Sequence, residues 1–532
     1  MKFAGLLPSL ALSASVVTAR RSLQHVGTVM DRLGQPLGGP AVSRSMREPP
    51  VKRDNSTHHF LTDKTKKYVV DGTAIPDVDF DVGESYAGLM PLGNSTKDEF
   101  YFWFFPSTNA AADGEILIWL NGGPGCSSLE GLLQENGPFT WQYGTYKPIQ
   151  NPYSWTRLTN VVYIEQPIGT GFSQGTPTAK DEEDLADQFM LFWKNFVDTF
   201  GMTGYKVYIT GESYAGMYVP YIANGMLDTK DTTYFNVSGI MVYDPSIAYD
   251  FLQGSVTAVP FIDSNAGLFP LNTDNLATYH ALDTECGYAD FRKKYLSFPP
   301  PGALPGPDDL PGQGNVTCTS LYDKIYDAIN EKNPCFDIYQ VATTCPVLWD
   351  VLGFPGSFEY LPEGATIYFN RSDVQAAINA PRENWSSCSN INVFPDGDSS
   401  APSATTVLGS VVDRTKNVIV GHGSLDMVLI ANGTLLAIQN MTWGGLQGFQ
   451  EAPSAKFYVP HHKDYSDSTL AAEGVMGITH SERGLTWVTI DLSGHMVPQY
   501  QPSASFRHLE VLLGRVSSLT SVEPFTVNVG TV

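Results

Sequence analysis

The sequence predicts an α/β fold, with a central, mostly parallel sheet and a disulfide-stapled insertion. Three observations carry this. Six short runs rich in Val, Ile, Trp and Tyr are continuously apolar rather than alternating, as suits strands buried on both faces of a parallel sheet. They are Ile116–Leu120, Val161–Ile164, Val207–Ile209, Ile240–Tyr243, Val418–Val420 and Trp487–Ile490. Helix-compatible stretches, Asp184–Phe200 and Tyr214–Leu227, separate some of them, giving the alternation of an α/β chain. Four of the six cysteines fall between 286 and 345, around the segment Pro299–Gly312, whose prolines exclude a helix or a central strand.

The 532 residues would fill several average domains, but one large α/β domain with an insertion fits equally well. A hydrophobic content of 42% with 12% aromatics excludes general disorder. The net charge of −23 argues against nucleic acid or an anionic membrane as partner.

In chain order, Lys2 precedes an apolar run from Phe3 to Val17 and the small residues Val17-Thr18-Ala19, the pattern of a secretory signal over residues 1–19. The run is too short for a comfortable membrane span, and the chain end is too short for a lipid-anchor signal, so no membrane anchor is expected. Residues 1–53 carry eight Lys/Arg against two Asp/Glu, leaving the remainder at −29. Residues 20–53 end on Lys52-Arg53 and are either a loose terminus or a pro-segment cut after the dibasic pair. The first part of the core is expected over 54–245, the insertion over 246–365, the second part over 366–520 and a tail over 521–532. Eight Asn-x-Ser/Thr sequons, at Asn55, Asn94, Asn236, Asn315, Asn370, Asn384, Asn432 and Asn440, suggest N-glycosylation on a eukaryotic secretory route. The even set Cys126, Cys286, Cys318, Cys335, Cys345 and Cys388 agrees with an oxidising compartment. None forms Cys-x-x-Cys, and no metal or cofactor is expected.

Two serines sit in glycine-bounded motifs: Ser173 in Gly171-Phe-Ser-Gln-Gly175, and Ser213 in Gly211-Glu-Ser-Tyr-Ala-Gly216. A nucleophilic serine on an elbow needs a strand running in and a helix leaving, so that the turn exposes the hydroxyl near a helix N-terminus. Lys206–Thr210 and Tyr214–Leu227 supply both for Ser213, whereas Ser173 has neither. The order Ser, Asp, His of α/β-hydrolases then selects Asp426, beyond the Val418 strand, and His495, beyond the Trp487 strand. His461, His462, His480 and His508 lack a preceding strand, and His422 breaks the order.

Further motifs surround these residues. They are Trp119-Leu-Asn-Gly-Gly-Pro-Gly-Cys-Ser-Ser128, Glu135-Asn-Gly-Pro138, Asn151-Pro-Tyr-Ser-Trp155, Glu165-Gln-Pro-Ile-Gly-Thr-Gly-Phe-Ser173 and Gly494-His-Met-Val-Pro498. With the two motifs holding Ser213 and Asp426, the chain resembles the serine carboxypeptidases, secreted or vacuolar α/β-hydrolases, from about residue 65 to 515. The resemblance implies Ser213 as nucleophile, Asp426 as acid and His495 as base. It implies an oxyanion hole from the backbone N–H groups of Gly123 and Tyr214. It implies a site for the substrate's C-terminal carboxylate at Asn121, Gly122, Glu135 and Glu212. It pairs Cys126 with Cys388 and suggests the nested bridges Cys286–Cys345 and Cys318–Cys335. Two departures stand out. Tyr243-Asp-Pro-Ser-Ile247 replaces a Gly-Asn pair, and Glu130 and Gln134 are more polar than in some relatives.

The activity implied is acid-active release of single C-terminal residues from peptides and proteins through an acyl-enzyme. Acyl transfer or lyase chemistry on the same scaffold, a lipase or esterase, and an inactive binding module are the alternatives. The complete Ser–Asp–His set counts against the last, and Glu135 with Glu212 suits a carboxylate-ended substrate better than a lipid.

Overall fold

The computed structural model describes residues 59–353, 361, 364–463 and 469–527. The expected signal, the basic segment, the sequon at Asn55 and the last residues of the tail lie outside the described residues. The fold described is that of the compact unit Phe60–Val532.

The strands of its large sheet in chain order are β1 Val69–Val70, β2 Ser85–Pro91, β3 Glu99–Phe105, β4 Glu115–Leu120, β5 Asn160–Glu165, β6 Lys206–Glu212, β7 Asn236–Tyr243, β8 Val418–Gly423, β9 Ala455–Val459, β10 Gly474–Glu482 and β11 Leu485–Ile490. They form one sheet in the order β1-β2-β3-β5-β4-β6-β7-β8-β11-β10-β9. From β5 to β11 every neighbouring pair is parallel. The outer pairs are antiparallel. All six apolar runs are the parallel strands. Their continuous apolarity resolves into two faces: Ile116, Ile118, Val162 and Ile164 enter one core, while Leu117, Trp119, Val161 and Tyr163 enter the other. Successive strand residues point to opposite faces, so both faces are covered.

Helix α1, Glu182–Phe200, begins where the Asp181 carboxylate accepts the Asp184 N–H at 2.8 Å and ends at Gly201, whose φ is 70°. Its stripe Leu185, Phe189, Phe192, Phe196 and Phe200 recurs at helical spacing and packs on Phe100, Phe102 and Phe104 of β3. Each such buried ring contributes roughly 1.5–3 kcal/mol. Helix α2, Ala215–Thr229, follows β6 and lies beside α1.

Among the described residues, 246–365 add no strand to the sheet. They form α3 Ala258–Ser264, α4 Thr273–Glu285, α5 Tyr288–Tyr295 and α6 Leu321–Lys332 around a third apolar cluster that also takes Leu425, Met427, Ile430 and Leu436 from the later chain. The chain then supplies α7 Leu408–Thr415, α8 Ala431–Asn440 and, after β11, α9 Pro502–Leu512. No helix among the described residues is long and apolar enough to cross a membrane.

Cys126–Cys388 forms as expected, with Cα atoms 3.9 Å apart. The nested pairing is corrected: the bridges are Cys286–Cys318 and Cys335–Cys345. Helix α6, with its 12 residues, stands between Cys318 and Cys335. At 1.5 Å per residue it separates them by about 18 Å, well past the reach of a disulfide. Of the sequons, Asn94, Asn315, Asn384 and Asn432 are exposed. Asn236, Asn370 and Asn440 are half-buried, and their side chains bond the Gly204 carbonyl, the Trp385 N–H and the Leu304 N–H respectively.

Candidate active site

The C-terminal ends of β4, β6, β7, β8 and β11 share one edge of the sheet, where open α/β sheets present their ligand crevice. They deliver, in turn, Asn121–Gly123, Ser213, Asp244, Asp426 and His495.

Ser213 sits between β6 and α2 with φ at 59°, a left-handed conformation that is strained for a side-chain-bearing residue. The backbone pins it from both sides: its N–H donates to the Tyr243 carbonyl, and its own carbonyl accepts from Gly216 and Ser246, each at 2.9 Å. Ser173, by contrast, is 5% exposed, donates to the Glu165 carbonyl at 2.5 Å and accepts the Tyr101 N–H at 2.8 Å. It is a structural serine. Its loop also wraps Glu165, whose carboxyl accepts from Ser127, Phe172 and Trp385 and is raised to about 7 chiefly by burial.

His495 is held by Asp426, whose Oδ2 lies 2.9 Å from Nδ1, so Nδ1 carries the proton and Nε2 is the basic nitrogen. Nε2 is buried with no hydrogen-bond partner, and no hydrogen bond joins it to Ser213. Unliganded catalytic pairs are often this loose. Burial disfavours the imidazolium, but the Asp426 charge and hydrogen bond outweigh it and hold His495 above its ordinary pKa. Asp426 also accepts the Val428 N–H at 2.7 Å and the Leu429 N–H at 3.4 Å. The insertion completes the mount: the Tyr339 carbonyl accepts the His495 N–H at 2.7 Å, and Ile338 and Val341 bond Met427 and Leu425 on either side of the acid. Sequence reasoning missed Tyr339 because nothing local marks a loop residue whose partner lies far along the chain.

A Cβ on Gly122 would stand 2.4 Å from the Tyr214 nitrogen and 2.7 Å from the Ser213 Cβ, so only glycine lets this loop lie on the elbow. Gly123 follows with φ at 113°, again glycine territory. Neither the Gly123 nor the Tyr214 N–H donates to an acceptor among the described residues, leaving two donors for an oxyanion. The Cys126–Cys388 bridge anchors the loop, reinforced by Ser127 to Ser387 and Ser389 to Gly125 backbone bonds at 2.8 Å each.

The expected carboxylate group is also assembled. Asn121 Oδ1 accepts from Trp119 Nε1 at 2.7 Å and Gly131 N at 3.2 Å, which turns Nδ2 towards Glu212 at 2.9 Å and Glu135 at 3.3 Å. Glu135 lies on a π-helical segment, Gly131–Asn136, a local widening frequent at functional sites. Both glutamates are buried and within hydrogen-bonding reach of each other. Burial raises Glu135 to about 8; burial and then the Glu135 charge push Glu212 well up. Each retains one oxygen without a partner. Such a pair holds protons at acidic pH and can donate them to a carboxylate. Glu130 is buried rather than solvated, and burial followed by the charges of Glu135 and Asp350 raises it strongly.

A strand–serine–helix elbow, an Asp–His pair in the matching chain order and two unpaired N–H groups on a parallel sheet define an α/β-hydrolase. The family model for serine carboxypeptidases matches residues 76–515, and the chain belongs to that family. It is 54% identical over 524 residues to a probable serine carboxypeptidase of Arthroderma benhamiae, covering 96% of this chain and 97% of the relative. It is 44% identical over 536 residues to serine-type carboxypeptidase F of Aspergillus niger, covering 98% and 100%. Among solved structures, a prohormone-processing carboxypeptidase from Saccharomyces cerevisiae shares the fold, with a TM-score of 0.66 at 22% identity over 85% of this chain and 96% of that one. The protein is a serine-type carboxypeptidase, an exopeptidase acting on the C-termini of peptides.

Proposed function

We propose that the protein is a secreted, acid-active enzyme that removes one C-terminal residue at a time through an acyl-enzyme on Ser213. In this reading His495 Nε2 takes the Ser213 proton as Oγ attacks the last peptide carbonyl, and Asp426 keeps the imidazole in the required tautomer. The Gly123 and Tyr214 N–H groups take the oxyanion. His495 then returns the proton to the leaving amine, and water releases the acyl group by the same route. Asn121, Gly122 and the protonated Glu135–Glu212 pair hold the terminal carboxylate, which fixes the cut one residue from the end. A free terminal carboxylate cannot enter beside two ionised glutamates, so binding belongs to the acidic side of the pair's titration.

The carrying observation is the packing of Gly122 directly on Ser213. It sets the buried glutamate pair beside the elbow with no Lys or Arg among the neighbours that shift either carboxyl. The exposed sequons and the apolar leader support a secretory route with N-glycosylation. Incubation with a blocked dipeptide at about pH 4–6 should release the free C-terminal amino acid, with no release from the corresponding Ser213→Ala protein. Absence of release by the wild type in that range would overturn the proposal.

A further inference from the structure

Asp244, at the end of β7, is fully buried beside the acid–base pair, and the mechanism above does not use it. One carboxyl oxygen of Asp244, one of Asp426 and one ring nitrogen of His495 lie within 4.8 Å of one another. The groups that face Asp244 can each be assigned. Its Oδ1 accepts the Gly423 N–H at 2.9 Å and lies 2.9 Å from His422 Nδ1. His422 Nδ1 faces only acceptors, Asp244 Oδ1 and the Gly423 carbonyl, so it holds the ring proton. Its Nε2 faces the Thr434 hydroxyl at 3.2 Å, which in turn accepts from Gln253. His422 is therefore satisfied as a neutral ring, and burial favours that form. Glu212 at the end of β6 and Tyr243 at the end of β7 bring no positive charge; protonated His495 does, and it favours the ionised form of Asp244, but burial and the Asp426 charge outweigh it.

That leaves Asp244 Oδ2, which is buried and receives no donor. The Asp426 carboxyl has an oxygen within 4.8 Å of the Asp244 carboxyl, and the two side chains are within hydrogen-bonding reach. Once His495 is neutral, as a base must be, two ionised carboxylates would share this place without a cation, whereas one proton between them satisfies both. Asp426 already receives three donors, including His495, so the proton belongs on Asp244 Oδ2.

We propose that Asp244 is a positioning residue: as a neutral carboxylic acid it donates a hydrogen bond to Asp426 and thereby moderates the charge that Asp426 presents to His495. The inference rests on the reading of Asp426 and His495 as the acid–base pair. An anion beside an imidazole raises its pKa, and a second anion would raise it further. A neutral Asp244 removes that second charge and draws electron density from the first. His495 then sheds its proton at a lower pH, which is what a base working in acid requires. As pH rises far enough to ionise Asp244, this support is withdrawn.

The test is the pH profile of kcat/KM for Asp244→Asn and Asp244→Ala. An amide donates to Asp426 at every pH, so Asp244→Asn should keep the acid limb where the wild type has it. Alanine removes the donor and should move the acid limb up by about one pH unit, costing about tenfold at pH values below the limb. An alanine profile merely scaled down, without displacement, or an asparagine profile displaced as far as alanine's, would overturn the inference. If Asp244→Ala does not fold, the infrared difference between wild type and Asp244→Asn at neutral pH decides. The wild-type minus Asp244→Asn difference should contain one carboxylic-acid carbonyl band, those of Glu135 and Glu212 cancelling, and a difference without that band would refute the neutral form. Loss of all activity in His495→Ala is a separate result that tests the underlying reading alone.

Discussion

Substrate binding should titrate with the Glu135–Glu212 pair. Burial pushes Glu135 up to about 8, and burial with the Glu135 charge raises Glu212 well above the ordinary carboxyl value, so the first proton lost belongs to the pair near 8. KM for a peptide with a free C-terminus should be level through the acidic range. It should roughly double at the pair's first pKa and climb about tenfold per pH unit above it. His495 sets the other limb, since it must be neutral to act as base and its pKa is held above the ordinary value. kcat should therefore rise with pH over the range in which KM is flat. Peptide amides and esters lack the carboxylate and should show a flat KM throughout. Glu135→Gln should flatten the peptide profile as well, because an amide donates at every pH. Stability carries the same sign: a carboxyl whose folded pKa exceeds its unfolded one stabilises fully below the unfolded value. That contribution is lost as pH rises towards the folded value, at up to about 1.4 kcal/mol per pH unit for each such group. Steady-state kinetics with a matched peptide and peptide amide from about pH 4 to 9 provide the assay. A wild-type peptide KM that stays constant across that range would refute the protonated-pair argument.

Ser213→Ala should abolish turnover, with losses on the order of 10⁶ in kcat, whereas Ser173→Ala should instead lower stability by removing the bond to Glu165; comparable kinetic losses at both would mean the elbow is wrongly placed. Replacing Cys126 and Cys388 by alanine should cost about 5–6 kcal/mol at most in the chain-entropy limit and depress kcat beyond that, because the bridge pins the Gly122–Gly123 loop; intact kcat in the folded variant would separate the bridge from the oxyanion site. Glu130→Gln should lower the ratio of kcat/KM for substrates ending in Arg over those ending in Leu, since Glu130, next to Glu135 and Asp350, is a buried carboxyl that a basic side chain would ionise; an unchanged ratio would make Glu130 purely structural.

The parallel half of the sheet and the elbow were legible because their signals are local. Continuous apolar runs mark β4 to β8 and β11, and strand, Gly and Ser fall together at 206–216. The flanking antiparallel strands were not. β2 carries Gly88 and ends on Pro91, and the all-aromatic run of β3 has no alternation to betray it. The insertion disulfides were misread because pairing depends on where α6 carries the chain, which spacing does not encode. Asp426 and His495 were selected by order after a strand, and the structure brings the two side chains together. Asp244 was seen only as a departure from a Gly-Asn pair, since its role arises from β7 lying beside β8 and placing it against Asp426.

The central claim is that Ser213 is the nucleophile of this site, and an organophosphate tests it most directly. One equivalent of fluorophosphonate should inactivate the wild-type enzyme, and peptide mapping should find the label on the Ser213 peptide, Gly211-Glu-Ser-Tyr-Ala-Gly216. A label on Ser173 or any other serine, or full activity after the reagent has reacted, would contradict the account.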